Sequence, residues 1–136
     1  MTRTTRTTIA AILAASALLF AACGGSDTAV IETVPATEAA EILAEPPTGL
    51  VTLDVRTPEE FDEVRIAGAK NLDFYAPDFA DRLDALDKTL PYFVYCRTGN
   101  RSGQALDTMR DLGFEQVYNL DGGIVAWNEA GFPVEQ

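Results

Sequence analysis

Two short runs constrain this chain most: Val51-Thr52-Leu53-Asp54-Val55 and Tyr92-Phe93-Val94-Tyr95. Both are rich in β-branched or aromatic residues, and their apolar character is nearly continuous. Such strands suit a sheet covered on both faces. Each gives way to a helix within a few residues. Thr57-Pro58-Glu59-Glu60 reads as a helix start: Thr57 caps, Pro58 takes the first helical position and Glu60 closes a capping box. That helix ends near Val64. The helix after the second run spans Arg101 to Leu112, offers Ala105, Met109 and Leu112 to the core, and ends on Gly113 as a left-handed cap.

The remaining elements follow the same alternation. Val30 to Val34 is a short opening strand. Thr37 is expected to cap a helix over Glu38 to Glu45, with Ala39, Ile42 and Leu43 facing inward, and Pro46-Pro47 stops it. Asn71-Leu72 is a short strand, and Asp78 to Leu86 is a helix with Phe79, Leu83 and Leu86 on one side. Val117 to Asn119 is a last strand. Gly122-Gly123 turns into a short helix through Trp127, which anchors it in the core. The pattern implies an α/β fold of three layers, a mostly parallel central sheet with helices on both faces. There is no internal repeat and no second domain.

The first residues read differently. Arg3 and Arg6 precede an apolar or small-residue run from Ile9 to Ala22, which ends at Cys23. The run is shorter than the ~20 apolar residues of a membrane span, so it reads as an export signal. Gly24-Gly25-Ser26-Asp27 begins a flexible tether. The expected organisation is a signal over 1–22, Cys23 and the tether over 23–29, and one domain over 30–136. The whole chain carries 10 basic and 21 acidic residues, a formal charge of −11. Without residues 1–22 the balance is 8 against 21, or −13. That excess argues against nucleic acid as a partner, and a small anionic substrate needs a local positive pocket. With no histidine there is no imidazole base, and one cysteine among scattered carboxylates lacks the usual zinc ligand set.

Cys96 carries the chemistry. It follows the second apolar run and opens Cys96-Arg97-Thr98-Gly99-Asn100-Arg101-Ser102-Gly103. A residue at the C-terminal end of a parallel strand lies where such sheets place their sites. Gly99 permits a tight turn. The helix beginning near Ser102 directs its positive end at the loop, and Arg97 and Arg101 add charge unless they point to solvent. These influences favour a thiolate. A thiolate in a cup of N–H donors can attack a sulfane sulfur and carry it as a persulfide. A purely structural cysteine would instead be buried and inert, which the polar loop argues against.

Several segments resemble known families. Phe20-Ala21-Ala22-Cys23 resembles the lipobox of bacterial lipoprotein signals, although Phe20 stands where leucine is usual. That resemblance implies a diacylated Cys23 at the mature N-terminus, a membrane anchor through its lipid and an extracytoplasmic or periplasmic location. The alternative is an ordinary secretory signal cleaved nearby. Cys96-Arg97-Thr98-Gly99-Asn100-Arg101-Ser102 resembles the Cys-x-x-Gly-x-Arg-Ser loop of the rhodanese family. Leu53-Asp54-Val55-Arg56, Glu59-Glu60-Phe61, Ile66-Ala67-Gly68-Ala69-Lys70-Asn71 and Leu120-Asp121-Gly122-Gly123-Ile124-Val125-Ala126-Trp127 resemble further family segments, in the family's order.

The rhodanese resemblance implies a sulfurtransferase with Cys96 as sulfur acceptor and donor, and no cofactor or metal. A small anionic, thiosulfate-like donor and a thiol or other thiophilic acceptor, small or protein-borne, are implied. Backbone N–H groups of residues 97–101 would form the cradle. Arg101 is expected to brace the loop against an acidic side chain, with Asp54 the candidate, and Ser102 to cap the following helix. Arg56 is placed near the pocket or in a pair with Glu60. An Asp54–Arg56 ion pair fixing local geometry ranks ahead of direct catalysis. Arg65 and Ala67 depart from the family's usual histidine and proline. Arg65 is either a surface residue or another cation near the site. A monomer is the default.

Two other readings compete. Cysteine phosphatases and arsenate reductases of related fold place five residues between cysteine and arginine. Here Arg97, Thr98, Gly99 and Asn100 make four, leaving less room for a tetrahedral oxyanion. The domain also lacks resolving thiols for a disulfide-forming arsenate reductase. A non-catalytic binding or sensing module is the third reading.

Overall fold

A computed structural model describes residues 28–136. The expected export signal, Cys23 and the first residues of the expected tether therefore lie outside the described residues. Five strands, β1 (Val30–Val34), β2 (Val51–Asp54), β3 (Lys70–Asn71), β4 (Pro91–Tyr95) and β5 (Gln116–Leu120), alternate with five helices. These are α1 (Ala36–Ala44), α2 (Pro58–Glu63), α3 (Phe79–Asp84), α4 (Asn100–Asp111) and α5 (Gly123–Glu129). The strands form one parallel sheet in the order β1-β5-β4-β2-β3. The α/β architecture expected from the two apolar runs is the one observed.

The pleat of β4 divides the core. Every residue of this central strand is buried. Tyr92 and Val94 enter a cluster with Leu53, Leu83, Ala105, Met109 and Phe114, beneath α3 and α4. Phe93 and Tyr95 enter the opposite cluster with Val34, Ala39, Leu120, Ile124 and Trp127, beneath α1 and α5. Successive side chains point to opposite faces, so an uninterrupted apolar run is the signature of two covered faces. Cys96, the next residue, is in phase with Tyr92 and Val94 and joins the first cluster.

Local signals fixed some boundaries and misled at others. At α2 the capping box forms in full: the Glu60 N–H donates to Thr57 Oγ1 at 3.4 Å, and the Thr57 N–H donates to Glu60 Oε2 at 3.1 Å. At α4, Gly113 has φ of 86°, and the Phe114 N–H reaches back to the Met109 carbonyl at 3.1 Å. This is the glycine cap expected for a left-handed helix end. Thr37 does not cap α1. The helix begins earlier, at Ala36, because the Pro35 carbonyl already accepts the Ala39 N–H at 2.9 Å. Thr37 therefore lies inside the first turn.

Arg65 holds the C-terminal tail. Its backbone exchanges two hydrogen bonds with Glu135, at 2.8 and 2.9 Å, and its side chain pairs with Glu135 Oε1 at 3.1 Å. Its guanidinium also lies over Phe61, 5.0 Å from the ring centroid. Among the described residues no helix is long and apolar enough to cross a membrane.

Candidate active site

The end of β4 delivers Cys96 into a turn that closes on its own sulfur. The Gly99 N–H donates to Sγ at 3.1 Å, and the Ser102 hydroxyl donates to it at 3.3 Å. Gly99 has φ of 98°, a left-handed conformation in which a side chain is strained. Helix α4 starts directly after it, at Asn100. Ser102 is consequently a first-turn residue and not the cap that its position suggested. Its hydroxyl faces the sulfur from within the helix.

Cys96 is 1% exposed, so the thiol is buried despite the polar loop that argued against burial. Burial pushes the thiol pKa up and is the largest single influence. Hydrogen bonds from the Ser102 hydroxyl and from the backbone N–H groups of Ser102, Gly99 and Thr98 together outweigh it. The thiol ends below its ordinary value.

The back of the loop is held by α5. The Ile124 N–H donates to the Cys96 carbonyl at 2.9 Å, and the Val125 N–H donates to the Arg97 carbonyl at 3.1 Å. With those carbonyls turned outward, N–H groups of the following residues are left to face inward. A Cβ on Gly123 would stand 2.5 Å from the Cys96 and Arg97 carbonyl oxygens. Only glycine lets α5 approach that closely. The segment Leu120 to Trp127 thus supports the cysteine loop, a link that spacing alone did not reveal.

The two arginine–carboxylate pairs differ from expectation. Arg101 does not brace against Asp54. Its Nη1 and Nη2 donate to Glu60 Oε2 and Oε1 at 2.7 and 2.9 Å. Asp54 is fully buried and already committed to Arg56, which donates to it from N at 2.9 Å, Nε at 3.0 Å and Nη2 at 2.6 Å. Arg56 also donates to the Val64 carbonyl. It therefore does not pair with Glu60, and the ion-pair reading of Asp54 and Arg56 is the observed one. Asn71 Nδ2 ties this corner down through the carbonyls of Asp54 and Arg56, at 3.1 and 2.8 Å.

Glu60 is the residue that sequence reasoning missed. The hydrogen bonds from Arg101 hold its carboxyl down to about 2, against the opposing effect of burial. Arg101 is in turn raised by Glu60. Above Arg101 lies the ring of Tyr75, with its centroid 5.5 Å from the guanidinium carbon, and Tyr75 is 68% exposed. Arg97 and Thr98 are exposed on the loop. Among the described residues no group of three or more Cys, Asp or Glu side chains is placed to hold a metal ion.

The fold and this loop define a class. The rhodanese-like domain family matches residues 35–130, and the chain belongs to that family. It is 37% identical over 87 residues to the thiosulfate sulfurtransferase GlpE of Ectopseudomonas mendocina, covering 64% of this chain and 77% of that protein. It is also 37% identical over 84 residues to an uncharacterized protein of Synechocystis, covering 62% of this chain and 46% of that protein. The match thus spans about half the length of the Synechocystis protein, and 58% of the uncharacterized protein YqhL of Bacillus subtilis. The crystal structure of a rhodanese-related protein from Thermoplasma volcanium superposes with a TM-score of 0.66 at 29% identity, covering 76% of this chain and 97% of that one.

Proposed function

We propose that this protein is a sulfurtransferase that works through a persulfide on Cys96. The observation that carries the reading is the convergence of Gly99 N–H and Ser102 Oγ–H on Sγ, which lowers the thiol pKa despite burial. In the first half-reaction the Cys96 thiolate attacks the outer sulfur of a thiosulfate-like donor. The donor's S–S bond breaks, sulfite leaves with its electron pair, and the outer sulfur stays on Cys96 as a persulfide anion. In the second, a thiophilic acceptor takes that sulfur and Cys96 returns to the thiolate. The cup offers backbone N–H groups of residues 97–101 to the charge that develops on sulfur. Arg97 supplies positive charge at the rim, and Asn100 starts the helix behind it. Arg101, held by Glu60, fixes the far side of the loop. Asp54 and Arg56 support it from the end of β2. No cofactor or metal enters these steps.

The same proposal places the domain outside the cytoplasm, exported by residues 1–22 and anchored through lipid on Cys23. There the persulfide would meet a small or protein-borne thiol. Thiosulfate-dependent turnover, with cyanide as a laboratory acceptor, tests the reading. Activity that falls to background in Cys96→Ala supports it. Full activity in Cys96→Ala, or none in the wild-type protein with a free thiol, removes the proposed mechanism and favours a binding module.

A further inference from the structure

The side chain of Cys96 points into the cluster beneath α3 and α4, and an exposed aromatic borders the same end of the sheet. Tyr75 lies in the connection from β3 to α3. That connection follows the end of β2: the Leu72 N–H donates to the Asp54 carbonyl at 2.9 Å, and the Phe74 N–H to the Val55 carbonyl at 3.2 Å. The Val55 N–H in turn donates to the carbonyl of Tyr95, the residue before Cys96, at 3.0 Å. Phe74 packs against the cluster that holds Cys96. Tyr75 turns outward and is 68% exposed, so burial of apolar surface does not explain its place. The turn fixes it instead. The Tyr75 N–H donates to Asp73 Oδ1 at 2.9 Å, and the Ala76 N–H to the Asp73 carbonyl at 3.1 Å. Among the described residues its ring meets the ring of Phe74 edge-on at 5.6 Å and the guanidinium of Arg101 at 5.5 Å.

We infer that Tyr75 is a positioning residue for Cys96 that acts through Arg101: its ring covers the Arg101–Glu60 pair and holds the guanidinium charge beside the sulfur. The inference rests on the sulfurtransferase reading for the reaction it serves. Arg101 is next to Ser102, whose hydroxyl donates to Sγ, in the first turn of α4. The edge of its guanidinium grips both oxygens of Glu60, and Tyr75 lies over one face. The Arg101 side chain is thereby left 13% exposed. Glu60 from α2 and Cys96 from the end of β4 are the acidic groups that act most strongly on it beside Tyr75 itself. The ring quadrupole attracts the cation, and the ring keeps water from that face, so the charge reaches the sulfur less screened. A cation held there favours the thiolate. Two other pairs carry the same cover: Arg56, paired with Asp54, lies 5.7 Å from the ring centre of Tyr95, and Arg65, paired with Glu135, lies 5.0 Å from that of Phe61. The surface pairs Lys88–Asp84 and Arg110–Asp107, three or four residues apart, have no such ring among the described residues. Aromatic cover goes with the pairs that hold the fold in place.

The test compares the reduced full chain with Tyr75→Phe, which keeps the ring face, and Tyr75→Leu, which keeps apolar bulk without it. Alkylation by iodoacetamide is followed at Cys96 by peptide mass spectrometry across pH. Sulfur loading from thiosulfate is followed on the intact mass. Tyr75→Leu is expected to raise the pH midpoint of alkylation and to leave the plateau rate at high pH unchanged, since access to the thiol is the same. Below the midpoint, alkylation and loading should both slow by about two- to fivefold, the scale of one exposed cation–π contact. Tyr75→Phe should match the wild type. In an Arg101→Gln background, Tyr75→Leu should add nothing. A wild-type midpoint in Tyr75→Leu, equal impairment in Tyr75→Phe, or an undiminished effect of Tyr75→Leu in the Arg101→Gln background would overturn the inference. If the midpoints behave as expected but no sulfur ever loads on wild-type Cys96, the sulfurtransferase reading fails and the role of Tyr75 stands.

Discussion

The molecule contains two arginine–carboxylate pairs of similar geometry and different reach. Asp54 and Arg56 are two residues apart, and both are essentially buried. They complete one corner of the sheet, where the Arg56 guanidinium lies 5.7 Å from the ring centroid of Tyr95, the residue before Cys96. Glu60 and Arg101 are 41 residues apart and partly exposed. They join the start of α2 to the start of α4, on which the loop around Cys96 closes. The first pair is a structural device that happens to lie near the site. The second couples the site to its surroundings. A buried charge pair is strongly destabilising when half of it is removed, whatever the net worth of the pair.

The largest effect should therefore come from the inner pair. Asp54→Asn leaves Arg56 buried without its counter-charge, and about 3–5 kcal/mol of stability should be lost. Chemical denaturation at neutral pH measures it. A loss no larger than that of an exposed pair would erase the distinction.

Glu60→Gln should cost less, about 1–2 kcal/mol, because water screens part of this pair. Its pH dependence is the sharper readout. The Glu60 carboxyl is depressed from 4.5 to about 2 in the folded protein. A carboxyl lowered on folding contributes stability that is fully present above its unfolded value and is lost as pH falls through its folded value. The stability difference between wild type and Glu60→Gln should accordingly shrink between about pH 4.5 and pH 2. A difference independent of pH across that window would show that the charge of Glu60 contributes nothing.

The smallest effect concerns the thiol alone. Ser102→Ala removes the first of the hydrogen bonds that lower the Cys96 pKa. The midpoint of Cys96 alkylation against pH should rise, with little change in stability. An unchanged midpoint would mean that the backbone N–H groups suffice.

This contrast also marks what the sequence could and could not convey. The fold was legible because it rests on short-range signals: an apolar run for each inner strand, Thr57 and Glu60 for a helix start, Gly113 for a helix end. The position of Cys96 after β4 and the role of Gly99 in its turn belong to the same class. The partner of Arg101 was not legible. Asp54 looked available because nothing local shows that Arg56 folds back onto it through three donors. Glu60 looked spent on its capping box, yet a carboxylate has acceptor sites enough to bind Thr57 N–H and Arg101 together. Ser102 was read as a cap because its residue type favours caps. The left-handed Gly99 instead takes the cap position three residues earlier, which places Ser102 in the first turn with its hydroxyl on the sulfur. Gly123 signalled a turn, but its closeness to the Cys96 carbonyl is a tertiary fact with no local trace.

The central claim is that Cys96 accepts and releases one sulfur atom. Intact mass spectrometry of the reduced chain, before and after thiosulfate and again after a thiol acceptor, tests it most directly. The account predicts a gain of one sulfur atom located on Cys96, reversed by the acceptor and absent from Cys96→Ala. A wild-type protein whose Cys96 is free and alkylatable, yet never gains that sulfur from thiosulfate or a persulfide donor, would contradict it.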